Sequence, residues 1–176
     1  LLADGPGLQP QRPGADGLIG DGRRVFGAAS GRRRSSSVGL RCGMSGTYTK
    51  SGAGTTAVST VFNNTNTGTL NVQSGTLSLA GGGLGTGAIT VSSGATLAIP
   101  GGAFNLSTGS SLTGAGSVSV NGGALTLSAG TYNVGTTTIT GGFATFNANA
   151  STGTLTLSSG GTLAGNGDFT VSGLTT

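Results

Sequence analysis

The chain has 176 residues, of which 38 are glycine, and only 7% of its residues are charged. Intrinsic disorder usually combines low hydrophobicity with high charge, and collagen needs glycine at every third position. The sequence has neither feature, since charge is scarce and the glycines show no period of three. A single cysteine excludes an internal disulfide, and no stretch of about 20 apolar residues is present to span a membrane as a helix.

The first segment, residues 1–43, is rich in Gly, Pro, Arg and Ser and shows neither a helical nor a strand period. It holds all seven arginines, three of them consecutive at Arg32–Arg34. Such a run can bind nucleic acid or an anionic surface, but no aromatic residues alternate with it. We therefore predict a disordered leader, or translated sequence outside the mature protein with Met44 near its start. The folded part is predicted to span residues 44–176, with no nucleic-acid partner.

Beyond residue 44 the sequence is built from short triplets in which two apolar residues flank a small polar one. Leu70-Asn71-Val72 and Leu77-Ser78-Leu79 are the first two. A period of two predicts a short β-strand with one buried face. The pattern recurs in eight more triplets: Ile89-Thr90-Val91, Leu97-Ala98-Ile99, Phe104-Asn105-Leu106, Val118-Ser119-Val120, Leu125-Thr126-Leu127, Tyr132-Asn133-Val134, Leu155-Thr156-Leu157 and Phe169-Thr170-Val171.

Strands this short need neighbours to cover them, which a repeating unit would supply. Grouping the triplets in threes gives rungs that start near Leu70, Leu97, Val118, Thr138 and Leu163. We attribute the two longer steps to insertions at 81–87 (GGGLGTG) and 147–153 (NANASTG). A rung of roughly 20 residues with about three short strands predicts an all-β parallel β-solenoid, or β-helix. An antiparallel sandwich would need longer and more widely spaced strands.

In a solenoid the flanking residues of each triplet point inward and the central ones point outward. Each buried Leu or Val contributes roughly 1.5–3 kcal/mol, and glycine at the corners lets the chain turn with positive φ. Low charge suits stacking, because like charges in register on adjacent rungs repel. The predicted outward residues are Asn71, Ser78, Thr90, Ala98, Asn105, Ser119, Thr126, Asn133, Thr156 and Thr170.

Two phrases carry a family resemblance: TYTKSGAGT at 47–55 and GTLNVQSGTLSL at 68–79. Together they resemble the autotransporter-associated β-strand repeat, and the likeness extends over roughly residues 45–176. It implies a right-handed parallel β-helix, export to the bacterial cell surface or outer membrane, and a role as an adhesin or structural stalk. The family has no shared catalytic residues. Because the chain starts at Leu1 and ends with its pattern still running, we expect a fragment of a longer protein.

Residue types for catalysis are nearly absent from the repetitive part. General acid–base catalysis needs histidine or paired carboxylates, and there is no histidine. Asp168 is the only carboxylate after Asp21, which excludes the two-carboxylate arrangement of most glycosidases within this segment. Serines are frequent, but no imidazole is available to activate one. We predict no catalytic residue.

Motifs for metals and cofactors are equally weak. GNGD at 165–168 is similar to a calcium-binding nonapeptide repeat, yet it occurs once with one carboxylate, so we predict a turn. Cys42 alone cannot form a zinc site. GAGT at 52–55 and GGGLGTG at 81–87 lack the lysine and the helix of a phosphate-binding loop, so we predict corner turns. The sequence therefore predicts no metal and no cofactor.

Two surface features could bind a ligand. The aromatic residues could stack on sugars, but several occupy inward positions, which favours core packing; they are Tyr48, Phe62, Phe104, Tyr132, Phe143, Phe146 and Phe169. The run Thr136–Thr138 suggests a threonine ladder of the kind found in ice-binding solenoids. Such a face would need Thr-x-Thr at one place on every rung, whereas the predicted outward residues are a mixture.

These observations predict a secreted or surface-displayed structural or adhesive segment that is not an enzyme. Its partners would be neighbouring rungs of a longer chain and surface glycans or proteins. Two alternatives stay open. The segment could be a non-catalytic part of a polysaccharide-acting β-helix enzyme whose catalytic residues lie outside it. It could also be a glycan- or surface-binding module that uses the arginine-rich leader.

Overall fold

The computed structural model describes residues 40–158 and 160–173. These residues form strands and turns, with no helix among them. Neighbouring strands pair in parallel and stack as a β-solenoid of about six turns. The predicted all-β parallel solenoid is therefore confirmed.

Seventeen short strands make up the described part of the chain. In chain order they are β1 (Arg41–Met44), β2 (Thr47–Lys50), β3 (Thr55–Val58), β4 (Val61–Asn64), β5 (Thr69–Val72), β6 (Thr76–Leu79), β7 (Gly83–Gly85), β8 (Ala88–Val91), β9 (Thr96–Ile99), β10 (Ala103–Leu106), β11 (Ser111–Val120), β12 (Ala124–Leu127), β13 (Thr131–Ile139), β14 (Phe143–Phe146), β15 (Ala150–Leu157), β16 (Thr162–Ala164) and β17 (Phe169–Val171).

The strands lie on three faces. The first face consists of β1, β4, β7, β10, β12, β14 and β16. The second consists of β2, β5, β8, the first halves of β11, β13 and β15, and β17; the third consists of β3, β6, β9 and the second halves of the same three long strands. Each turn of the solenoid thus uses one strand segment per face, as the three-strand rung predicts.

The register confirms the rung length but corrects the position of the rungs. Leu70 pairs with Ile89, which pairs with Leu112, and these steps of 19 and 23 residues bracket the predicted 20. The predicted rung starts were wrong, because they belong to different faces. Leu70 lies on the second face, Leu97 on the third and Leu163 on the first.

The two predicted insertions are ordinary parts of the rungs. Residues 81–87 contain β7, which pairs with β4 and β10, and residues 147–153 contain the start of β15. In β7 the usual pattern is inverted, since Gly83 lies in register between Phe62 and Phe104 while Leu84 points outward and is 43% exposed. At Gly83 the backbone of Phe62 lies where a Cβ would be, and at Gly85 the side chains of Leu106 and Phe104 occupy the space that glycine leaves open.

The core runs along the axis and consists of the inward residues of successive rungs. Leu70, Leu97 and Leu125 have no exposed surface, and the outward triplet centres are half-buried or exposed, as predicted. In the last turns the ring of Phe146 packs edge-to-face on Tyr132 and tilted against Phe169, with centroids 4.9 and 4.6 Å apart. Phe143 is the exception to the aromatic core, because it points outward and is 62% exposed.

Two similar phrases, LTGAGSVSV at 112–120 and LAGNGDFTV at 163–171, share a glycine corner. Gly114 and Gly165 have φ of +127° and +133°, and each lies against a backbone carbonyl of the preceding rung, that of Val91 or Phe146. The first corner joins the second face to the third, while the other joins the first face to the second. The match therefore marks a corner geometry rather than equivalent rungs.

At the N-terminal end, strand β1 begins at Arg41, three residues before the predicted domain boundary at residue 44. It pairs with β4 from Arg41 to Met44, so these residues are part of the solenoid. The rest of the predicted disordered leader of residues 1–43, residues 1–39, lies outside the described residues.

Candidate functional surface

A column of hydroxyl side chains follows the outside of the third face. At the first outward position every described rung carries threonine or serine, in continuous register: Thr55, Thr76, Thr96, Ser117, Thr136 and Thr154. The second outward position carries smaller and more varied residues: Ala57, Ser78, Ala98, Ser119, Thr138 and Thr156. Threonine fits the pleated surface, and Thr–Thr cross-strand pairs stabilise a sheet.

Sequence reasoning missed this column. The predicted outward residues were the triplet centres, which supply only the second position and mix all three faces. The hydroxyl residue stands immediately before the triplet, as Thr76 stands before Leu77 and Thr96 before Leu97. The signal was visible in the sequence, but the assignment of triplets to faces was needed to use it. Complete Thr-x-Thr pairs occur in the strands β13 and β15.

The second face is also polar and almost uncharged on its outside. One column of its outward-pointing residues consists of Thr49, Asn71, Thr90, Thr113, Asn133, Ser151 and Thr170, which pair in register. Hydroxyl and amide groups can both donate and accept hydrogen bonds. The second and third faces together therefore present a neutral surface rich in hydrogen-bonding groups.

Near the C-terminal end of the second face lies an open groove of about 370 Å³. Its polar lining comes from Asn133, Asn149, Ser151 and Asp168, and part of Tyr132 contributes to it. The side-chain oxygen of Asn149 accepts a hydrogen bond of 3.2 Å from the Asp168 N–H, which fixes the amide beside the carboxylate. The groove is wide open to solvent.

Lys50 is charged but belongs to the interior. It occupies an inward position of β2 and is only 4% exposed. Its ammonium donates hydrogen bonds to the carbonyl oxygens of Gly52 at 2.6 Å, Ser74 at 2.9 Å and Ser51 at 3.2 Å. Because Ser74 belongs to the next rung, Lys50 ties the first corner of the solenoid to the second. The lysine of TYTKSGAGT therefore has a structural role.

A buried network of three hydroxyl side chains crosses the interior of the last complete turns. The Tyr132 hydroxyl lies 2.8 Å from Thr137 Oγ1, which donates to Thr152 Oγ1 at 3.0 Å, and Thr152 donates in turn to the Thr154 carbonyl at 3.1 Å. Burial raises the pKa of the Tyr132 phenol far above its ordinary value, and the Thr137 hydrogen bond opposes this shift only in part. Tyr132, Thr137 and Thr152 are buried, so this network stabilises the core and has no exposed reactive atom.

Buried Asn64 is less well satisfied. Its Nδ2 donates to the Ala88 carbonyl at 2.9 Å, whereas its Oδ1 has no hydrogen-bond partner among the described residues. The Oδ1 atom lies against Gly68, where any side chain would collide with it. Asn64 replaces the aliphatic residue found in the same column at Leu106 and Leu127, and it helps to shape the corner after β4.

Within residues 40–158 and 160–173, no group of three or more His, Cys, Asp or Glu residues could hold a metal ion. Cys42 is a half-buried free thiol, and Asp168 lies in the bend before β17. GAGT forms the predicted corner between β2 and β3, whereas GGGLGTG contains a strand and was wrongly predicted as a turn. The same part of the chain contains no helix long and apolar enough to span a membrane.

No protein-family model, curated protein or solved structure matches this chain. The resemblance to the autotransporter-associated repeat therefore depends on the sequence phrases, above all those at 47–55 and 68–79. In the structure these phrases form adjacent rungs, with Tyr48 paired to Leu70 and Thr55 paired to Thr76. Their residues build a solenoid corner and two strand pairs, which is an architectural role.

Proposed function

We propose that this chain is a structural and adhesive segment of a surface-displayed or secreted, autotransporter-like bacterial protein and that it performs no catalysis. The observation that carries the proposal is the continuous parallel stack with a neutral, hydroxyl-rich exterior. Each rung adds about 4.8 Å of length through backbone hydrogen bonds, so repetition produces a stiff spacer. A spacer of this kind can hold other parts of a protein away from a cell surface.

The distribution of charge supports this role. Among the described residues the charged side chains are Arg41, Lys50 and Asp168, and Lys50 is internal. Adjacent rungs place identical positions in register, where like charges would repel. A neutral exterior therefore permits many rungs to stack. It also leaves hydroxyl and amide groups free to bond with uncharged hydroxylated partners, such as surface glycans.

Surface display can be tested on intact cells of the source organism. Antibodies raised against the purified chain should label unpermeabilised cells, and added protease should remove the signal while an internal marker protein stays intact. Labelling that requires permeabilisation, with the chain resistant to external protease, would contradict the proposal.

The groove on the second face favours a second candidate function, the binding of a neutral glycan. Asn133, Asn149, Ser151 and Asp168 supply amide, hydroxyl and carboxylate groups in one concave place. The test is calorimetric titration of the full chain with neutral oligosaccharides, comparing Asn149→Ala with Asn71→Ala, which lies on the same face outside the groove. Loss of binding in the first variant only would support this function, and equal affinity in both would contradict it.

A further inference from the structure

At the corner between β11 and β12 two backbone amides share one acceptor. The N–H groups of Asn121 and Gly123 both donate to the Ile99 carbonyl, at 3.3 and 3.2 Å. The amide of Gly122 between them makes no hydrogen bond to the described residues. Asn121 and Gly122 are both exposed. An asparagine amide and the free backbone nitrogen of the following glycine are therefore together at the surface.

We propose that Asn121 is a site of spontaneous deamidation. The backbone nitrogen of Gly122 loses its proton to solvent base and attacks Cγ of Asn121, and the side-chain amide nitrogen leaves as ammonia. The product is a five-membered succinimide, which water opens at either carbonyl to give aspartate or isoaspartate. Glycine favours ring closure because it has no Cβ to hinder the attack. Water is the only co-reactant, and no bond is oxidised or reduced.

The second Asn-Gly pair in the chain provides an internal comparison. Asn166 is exposed like Asn121, but the N–H of Gly167 donates to the Phe146 carbonyl at 2.9 Å. The Cα of Gly167 also lies against the backbone of Ala148, where no side chain would fit. The nitrogen that must attack is thus held by the preceding rung. Asn166 should react about tenfold more slowly than Asn121, because its hydrogen bond must first break.

Deamidation would change the charge and the backbone of the solenoid at this corner. The described part of the chain carries three charged side chains, one of them internal. A carboxylate at position 121 would add a negative charge at a corner otherwise free of charged residues. The isoaspartate product would also add one atom to the backbone where two N–H groups share the Ile99 carbonyl. Old molecules would thus differ from new ones at one defined corner.

The experiment is incubation of the full chain at mildly alkaline pH and body temperature, followed by peptide mass spectrometry. We expect the mass gain of amide-to-acid conversion at Asn121 well before Asn166, with ammonia released in step. Asn121→Gln should remove the early product. In concentrated urea, where the Gly167–Phe146 bond is absent, the two sites should react at similar rates.

Two results would overturn the proposal. One is conversion of Asn166 as fast as, or faster than, Asn121 in the folded chain. The other is conversion of neither site in the folded chain while both convert in urea, because this would mean that the corner does not permit ring closure. Circular dichroism during the incubation confirms that the chain stays folded.

Discussion

Lys50 shows how a single side chain can supply hydrogen bonds to backbone carbonyls that have no backbone partner at a corner of the described chain. Its ammonium replaces water for three carbonyl oxygens of the loops after β2 and β5. A buried carbonyl without a partner costs about as much as a lost hydrogen bond, so the position cannot be filled by an apolar residue without penalty. The inward residue that pairs with it on the next rung is the apolar Val72.

We predict that Lys50→Met lowers the free energy of unfolding by about 1–3 kcal/mol, since methionine fills a similar volume but donates no hydrogen bond. Urea denaturation of the full chain measures this. Thr90→Ala, an exposed change on the same face, is the control and should alter stability by less than about 0.5 kcal/mol. Equal effects of both substitutions would show that Lys50 does not hold the corner.

Tyr132 predicts a specific response to alkaline pH. Its pKa in the folded chain is raised above the ordinary value of about 10, so below that pH both folded and unfolded chains keep the proton. Above about pH 10 the unfolded chain loses its proton first, and stability should fall by up to about 1.4 kcal/mol per pH unit. The pKa of Tyr48 is also raised, by partial burial and by the nearby Cys42, which leaves a smaller residual slope.

Urea denaturation at several pH values between roughly 9 and 12 tests this prediction. The quantity to compare is the slope of stability against pH, because Tyr132→Phe also removes the hydrogen bond to Thr137 and lowers stability at every pH. The variant should lose most of the alkaline decline seen in the natural chain. An unchanged decline in Tyr132→Phe would assign the effect to other groups.

At the scale of strands and corners, glycine decides where the chain can turn. Three glycines separate the effect of positive φ from the effect of close backbone packing. Gly43 has ordinary φ and open space, Gly94 has φ of +78° with open space, and Gly114 combines φ of +127° with a close approach to the backbone of Val91. Positive φ strains any residue with a Cβ, while a collision with backbone cannot be relieved by a side-chain rotation.

We predict that substitution by alanine destabilises the chain in the order Gly114, Gly94, Gly43. Gly94→Ala should cost about 1 kcal/mol and Gly114→Ala about 3 kcal/mol or more, whereas Gly43→Ala should be neutral or slightly stabilising. Thermal and urea unfolding of the three variants provide the measurement. A Gly114→Ala variant as stable as Gly94→Ala would mean that the close stacking of the corner is not required.

The strands themselves were largely predictable, because their inward residues are large and alternate with small polar ones. Leu77-Ser78-Leu79 and Phe104-Asn105-Leu106 behave as the period of two requires. The phase of the rungs was not predictable, since similar triplets occupy all three faces. The strand Gly83–Gly85 was hidden because its inward positions are glycines, which carry no side chain, while its one apolar residue, Leu84, points outward.

The same reasoning applies to the functional surface. The absence of histidine and the scarcity of carboxylates could be read directly from the sequence. The hydroxyl column from Thr55 to Thr154 and the groove beside Asp168 could not, because both depend on which residues become neighbours across rungs. The internal role of Lys50 was also hidden, since its carbonyl partner at Ser74 lies 24 residues away.

At the scale of the whole molecule, every rung depends on the rungs above and below it. Inner rungs have fully buried side chains, whereas the terminal ones are only partly covered, as for Tyr48, Phe169 and Val171. Leu157 faces inward but is 42% exposed, because no described strand follows it on the third face. Stability should therefore be roughly a sum of rung and interface contributions, with the ends as the least stable parts.

The most direct test of the stack is a set of distances along one face. Pairs of spin labels at Thr49 and Asn133, and at Thr49 and Thr170, lie four and six rungs apart in the register, with Cys42 replaced by alanine. Pulsed electron paramagnetic resonance should give separations that grow by about 4.8 Å per rung, near 19 and 29 Å between backbones. A separation for Thr49 and Thr170 no longer than that for Thr49 and Asn133 would contradict the parallel solenoid and the role proposed for it.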